Sequence, residues 1–128
     1  MPSRESEKVL TRVRALCLAL PEACEVEAWG HPTFRAGKKL FAAFGDGEEG
    51  LTLGLKMSFE RQDELLADKR FFPTPYAARL GWVSLRIGRQ TDWGEVGGLI
   101  REAYLQVALK RMVKALDARP SALADARG

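Results

Sequence analysis

The 128-residue sequence holds one histidine and two cysteines. Each scarcity removes a class of chemistry. A nucleophilic serine or cysteine needs an adjacent base held by a third group, and with His31 as the sole histidine few such sets can form. No strand-turn-helix nucleophile elbow is visible. Cys17 and Cys24 are seven positions apart, not the short paired spacing of a structural zinc site. Two cysteines are too few for a disulfide framework, so both read as reduced thiols. No apolar run approaches the roughly 18 residues of a membrane span; the longest, "ALCLALP" at 15–21, is short and ends in Pro21. The opening "MPSRESEKVL" has no apolar signal region after its charges. The expectation is a cytoplasmic protein with no membrane partner. There is no glycine-rich phosphate loop followed by Lys-Ser/Thr. "GDGEEG" at 45–50 is glycine-rich but acidic, and its Asp46 and Glu48 sit in a turn poorly suited to acid–base geometry. Glu22, Glu25 and Glu27 read as solvated carboxylates, not as a metal site. No motif implies an enzyme, a metal or a cofactor.

Ordinary globular content remains: 46% hydrophobic residues, 29% charged residues and a net charge of +3. These totals fit one soluble domain with a core of its own. No repeat or linker divides the chain, so 1–119 is read as a single domain and 120–128 as a frayed tail. Apolar Val9, Val13, Leu16, Cys17 and Leu20 recur at helical spacing, and Pro21 marks the stop. The period then changes. Residues 25–29 alternate as a strand, with Val26 and Ala28 opposed to Glu25, Glu27 and Trp29. "PTFRAGKKLFAAF" reads as two strands about a turn at Ala36-Gly37-Lys38. "LTLGLKM" at 51–57 is a further strand. Ser58 caps a short helix. "FFPTPY" at 71–76 is read as irregular, because Pro73 and Pro75 lie two apart. "GWVSLRI" at 81–87 is a strand with Val83, Leu85 and Ile87 on one side. Asp92 and Glu95 open a last helix in the manner of a capping box, and its apolar positions run from Trp93 through Val113. Gly97-Gly98 in its first turns suggests a close neighbour. The order is helix, about four strands, helix, strand, helix. That order predicts an α+β fold: a mostly antiparallel sheet with N-terminal and C-terminal helices packed on one face. The other face is expected to show Glu27, Trp29, Arg35, Lys39, Thr52, Lys56, Trp82, Ser84 and Arg86.

The stretch "EAWGHPTFRAGKKLFAAF" at 27–44 concentrates the candidates. Arg35, Lys38 and Lys39 flank a glycine turn. Such a hairpin is either a solvated tip whose lysines discourage edge pairing, or a wing that touches phosphates with little sequence preference. DNA is therefore one candidate partner, met by Arg35, Lys38 and Lys39, with Lys56 and Arg86 in support. Trp29, Tyr76 and Trp82 either pack together on the second sheet face or line a groove for a protein or small ligand. His31 is either tied to neighbouring backbone or at the mouth of that groove.

Taken in order, "AWGHPTFRAGKKLFAAF", "LGLKM", "FFPTPYAARLGWVSL" and the late Ala103-Tyr104 pair resemble the MmcQ/YjbR family over roughly residues 8–115. Trp29, Gly30, Pro32, Phe34, Lys39, Phe41, Lys56, Tyr76, Gly81 and Trp82 match its recurrent positions. The resemblance implies an α+β fold of antiparallel sheet and helices, sometimes described as a double wing. It also implies a DNA-binding label that rests on the winged shape, and it supplies no catalytic residues.

Overall fold

A computed structural model describes residues 3–119; the tail read at 120–128 lies outside the described residues. Helix α1 (Arg4–Leu18) leads into a meander of four strands: β1 (Ala23–Ala28), β2 (His31–Ala36), β3 (Lys39–Gly47) and β4 (Gly50–Lys56). Helix α2 (Phe59–Leu66), the short strand β5 (Phe71–Pro73) and a 3₁₀ turn (Ala78–Leu80) follow. Strand β6 (Trp82–Arg86) and helices α3 (Trp93–Val107) and α4 (Lys110–Asp117) complete the chain. The strands form one sheet in the order β1-β2-β3-β4-β6-β5, with each neighbouring pair antiparallel. The expected α+β architecture is present.

Local chemistry starts the helices. The Ser3, Ser58 and Asp92 side chains accept from backbone N–H groups at the starts of α1, α2 and α3, satisfying donors that a helix cannot pair internally. Alternation then sorts the sheet. Phe34, Leu53, Leu55, Val83 and Leu85 project to the helix side, where they are buried with Val13 and Cys17 of α1 and Val96, Ile100, Ala103 and Tyr104 of α3. Each large side chain buried there stabilises the fold by about 1.5–3 kcal/mol. Tyr104 Oη donates to the Pro21 carbonyl at 2.7 Å, and its ring meets Phe41 edge-on at 5.5 Å. That bond lets a phenol sit in the core without an unpaired polar atom.

Five local expectations are corrected. Phe71–Pro73 is a strand, paired with Val83–Leu85. Proline is tolerated there because β5 lies at the sheet margin, where no ladder N–H is required of it. The last helix is two: Ala108 is extended (φ −65°, ψ 140°) and α4 starts afresh. No glycine or proline marks the break; it lets α4 bury Met112 and Leu116 in the core. Only half of the capping box forms, since the Glu95 carboxylate goes to Arg70. Of the two glycines in α3, Gly97 sits beside Leu16 of α1, whereas nothing packs on Gly98. The phase of β1 is also reversed. Val26 stands opposite Thr33 on the face away from the helices, and Glu25 opposite the buried Phe34. Glu25 is claimed by Arg14 of α1 through bonds of 2.5 and 2.9 Å.

Candidate functional site: a groove on the uncovered face of the sheet

The second face of the sheet is neither flat nor polar. Pairing of Thr33 with Ala43, of Gly45 with Thr52, and of Gly54 with Ser84 sets small side chains, or none, across its centre. The result is a groove of ≈ 690 Å³. Its floor is Thr33, Ala43, Gly45, Thr52, Gly54 and Ser84, with Trp82 beside them. One side is formed by Ala28, Trp29 and His31 at the β1–β2 turn. The other is formed by Phe72, Thr74, Pro75, Ala77 and Leu80, from β5 to the 3₁₀ turn. The β3–β4 turn, with Asp46, Glu48 and Glu49, closes one end.

The sides are held from behind. Gln62 of α2 is buried and donates from Nε2 to the carbonyls of Ala78 (2.8 Å) and Trp82 (2.9 Å). Thr74 and Ser84 share a hydroxyl–hydroxyl bond of 2.8 Å between side and floor. Gly81 adopts φ +96°, and a Cβ there would lie 2.3 Å from the Met57 carbonyl oxygen. Glycine alone fits, and it brings Trp82 onto the sheet directly after the turn. Thr33, buried on the floor, donates its hydroxyl to the Val26 carbonyl at 2.5 Å.

Trp29 is the residue with the least local justification. It forms the β1–β2 turn with Gly30, both at positive φ (53° and 79°). That conformation suits Asn-Gly pairs and strains a bulky side chain. The strain gains no burial, for Trp29 is 86% exposed at the groove's rim. Tyr76 is likewise at positive φ (66°) and 98% exposed, between the groove-lining Pro75 and Ala77. Trp82, by contrast, is only 8% exposed. The three aromatics therefore do not form a second small core, and Tyr76 itself does not line the groove.

The basic candidates separate. Arg35, Lys38, Lys39 and Lys56 lie at the sheet end opposite the acidic turn, as the register of β2, β3 and β4 requires. Arg35 is half-buried, and its Nε is enclosed without a partner. Lys38 and Lys39 are exposed. Lys39 does not share the face of Arg35: an irregularity in the β2–β3 register makes Arg35 pair with Leu40, and Lys39 with the buried Ala36. Phe41 is the extra residue, and such a bulge re-phases a strand. The turn is docked, with Gly37 N donating to the Glu22 carbonyl at 3.2 Å and a Gly37 Cβ lying only 3.1 Å from Met112. Lys56 Nζ folds onto the Met57 carbonyl at 2.9 Å. Arg86 stands at the other end, bound to Glu49 at 3.1 Å and stacked 4.4 Å from the Phe72 ring. Glu27, expected on this face, shares the phase of Glu25.

Residues with shifted acidity lie off the groove. Hydrogen bonds from Arg14, Arg111 and Arg70 hold Glu25, Glu22 and Asp68 below the usual carboxylate range, Asp68 at about 2. Burial pushes the Cys17 thiol up. Among the described residues, no three His, Cys, Asp or Glu side chains converge as a metal site. No helix among them is long and apolar enough to cross a membrane.

Of the sequence candidates, the groove brings together Trp29, His31 and Trp82, joined by Thr52 and Ser84. Its small floor was missed. The available signal was the second phase of β3 and β4, where Ala43, Gly45 and Gly54 alternate with the large residues of the core.

A family model described as YjbR matches residues 18–106. Comparison with curated proteins finds no match. The crystal structure of Deinococcus radiodurans protein DR2400, which carries a DUF419 domain, is similar in fold, with a TM-score of 0.70. The two chains are 23% identical, and the similarity covers 88% of this chain and 90% of that one. The matched residues include all six strands and every residue lining the groove, and the chain belongs to the YjbR family.

Proposed function

We propose that this chain is a non-enzymatic binding module whose ligand lies in the groove on the uncovered sheet face. The observation that carries the reading is Trp29: a large aromatic in a strained turn, 86% exposed, at the rim of an apolar groove of ≈ 690 Å³. Strained, exposed aromatics at a concave apolar surface are features of recognition sites. Nile red, a neutral apolar dye, tests it. The dye brightens on entering the groove of the wild type. Gly54→Leu removes that signal, because a side chain at 54 has ordinary contacts of 3.6 Å or more at its base and extends into the space. Equal dye binding by wild type and a folded Gly54→Leu variant rejects the groove as the site.

A second reading is favoured by the grouping of Arg35, Lys38, Lys39 and Lys56 at one end of the sheet. These side chains would contact the phosphates of DNA, with Arg86 excluded because Glu49 holds it. Anisotropy of a labelled duplex across salt concentrations decides it. Binding should weaken linearly on logarithmic axes, with a slope of about −0.9 per phosphate contacted. Lys38→Ala/Lys39→Ala should remove about two contacts' worth of that slope. Absence of binding at low salt rejects this reading.

A further inference from the structure

Three arginines among the described residues are half-buried: Arg14, Arg35 and Arg61. In two of them a carboxylate takes the Nε–H. Arg14 Nε donates to Glu25 at 2.5 Å, and Arg61 Nε donates to Glu102 at 3.0 Å. Even the exposed Arg70 and Arg111 meet a carboxylate in this way, at 3.1 and 2.8 Å. Arg35 has no such partner. Its Nε is the one enclosed side-chain polar atom left without a hydrogen bond among the described residues.

The position of Arg35 ties it to the groove. It shares a face of β2 with Thr33, which is on the groove floor, and its partner in β3 is Leu40, which lines the groove. Its partner on the other side is Cys24, so the β1 carboxylates Glu25 and Glu27 have the opposite phase. Glu22 is bound to Arg111. Lys56 adds a second positive charge on the same face, opposite the groove-lining Trp82. A guanidinium partly withdrawn from water and left unpaired costs stability, and a bound anion offsets that cost. The surface beside it is mostly apolar, with Leu40, Ala43, Leu80 and Trp82 in the lining.

Resting on the groove reading above, we infer that the ligand is an amphipathic organic acid: a carboxylate head on an apolar body. The head pairs with Arg35, as Glu25 and Glu102 pair with Arg14 and Arg61. The body runs over Leu40, Ala43 and Gly45, roughly 15 Å along β3, toward the end of the groove where Trp29 stands. Arg35 holds one end of the ligand and the exposed indole meets the other.

The test titrates decanoate and its uncharged counterpart, 1-decanol, against the full chain at pH 7 by displacement of Nile red. Both are kept below the concentrations at which they aggregate. Decanoate should bind about tenfold more tightly, the worth of one hydrogen-bonded charge. Arg35→Gln should remove that advantage while Nile red binds as in the wild type. Arg35→Lys should keep part of it, and Lys38→Ala/Lys39→Ala should keep it all. Equal binding of acid and alcohol, with dye displaced by both, overturns the carboxylate inference and leaves the groove reading standing. An advantage that survives Arg35→Gln, or disappears in Lys38→Ala/Lys39→Ala, also overturns it, by placing the anion elsewhere. Decanoate bound undiminished by a folded Gly54→Leu variant overturns it too, by placing the acid outside the groove. If decanoate, decanol and dye all fail to bind, the groove reading and this inference fall together.

Discussion

Strand β4 presents two faces to two different fates. Leu53 and Leu55 are fully buried under the helices, and Leu51 packs against the same core. Thr52 and Gly54, between them, form the floor of an open groove. The same contrast runs along β3, where Phe44 is buried in the core and its neighbours Ala43 and Gly45 leave space. An antiparallel sheet covered on one side normally turns polar residues to water on the other. At its centre this one turns small residues outward, Thr33, Ala43, Gly45, Thr52, Gly54 and Ser84, so solvation alone does not account for the composition of its second face. One face is optimised for contact within the chain. The other is concave and carries Trp29 at its rim, an aromatic that gains no packing, the profile of a surface kept for contact with something else.

The sharpest way to break this comparison is to cut equally into both faces. Phe41→Ala should cost about 3–5 kcal/mol, because its ring is fully buried against Tyr104. Gly54→Ala on the groove floor should change stability by less than about 0.5 kcal/mol, since its Cβ makes only ordinary contacts. Urea denaturation reads both, and comparable losses would mean the second face is as tightly specified as the first.

Gln62 links the two regions. Gln62→Leu removes one donor from each of the Ala78 and Trp82 carbonyls, although Ala78 keeps the Gly81 N–H. It should cost about 1–3 kcal/mol and also weaken Nile red binding, because the side of the groove loses its tie to α2. Lost stability with dye affinity unchanged would show that the groove does not depend on this bond.

Trp29→Asn works in the opposite direction. Replacing a strained aromatic by the residue that type I′ turns prefer should raise stability by about 1 kcal/mol. It should lower affinity for any groove ligand. A destabilised variant would show that Trp29 serves the fold.

The smallest effect concerns pH. Glu25, Glu22 and Asp68 have folded-state values lowered by hydrogen bonds from Arg14, Arg111 and Arg70. Folding therefore favours their ionised forms. The contribution is complete above their unfolded values and is lost as pH falls through the folded ones, from about 4.5 down to about 2. Thermal melts should decline over that window and stay level above it. Arg14→Met should flatten the decline, since Glu25 then titrates as it does unfolded. All these pairs are substantially exposed, so the change is modest.

Features set by local chemistry were legible in the sequence: the caps at Ser58 and Asp92, the alternation of β4 and β6, and the arrest of α1 before Pro21. Features set by distant contacts were not. The break at Ala108 has no local breaker and exists because Met112 and Leu116 are needed in the core. The phase of β1 was read from its apolar residues, but Arg14 claims Glu25 for the helix side. The bulge at Phe41 reversed the side of Lys39 for the same kind of reason. At the site, the large residues drew attention: Trp29, His31 and Trp82 do share the groove, whereas Tyr76 stands clear of its lining. The groove itself is made by what is missing at Ala43, Gly45 and Gly54, and small residues become informative only once their neighbours across the sheet are known.

The brevity of β5 has a consequence for how the molecule meets other chains. Three residues ending in Pro73, which has no N–H, give an arriving strand almost nothing to pair with, so the sheet cannot grow at that margin. Strand β1 forms the opposite margin with six residues and no proline. Any extension of the sheet by another chain is thus confined to one side, next to the turn that holds Trp29 at the groove's rim.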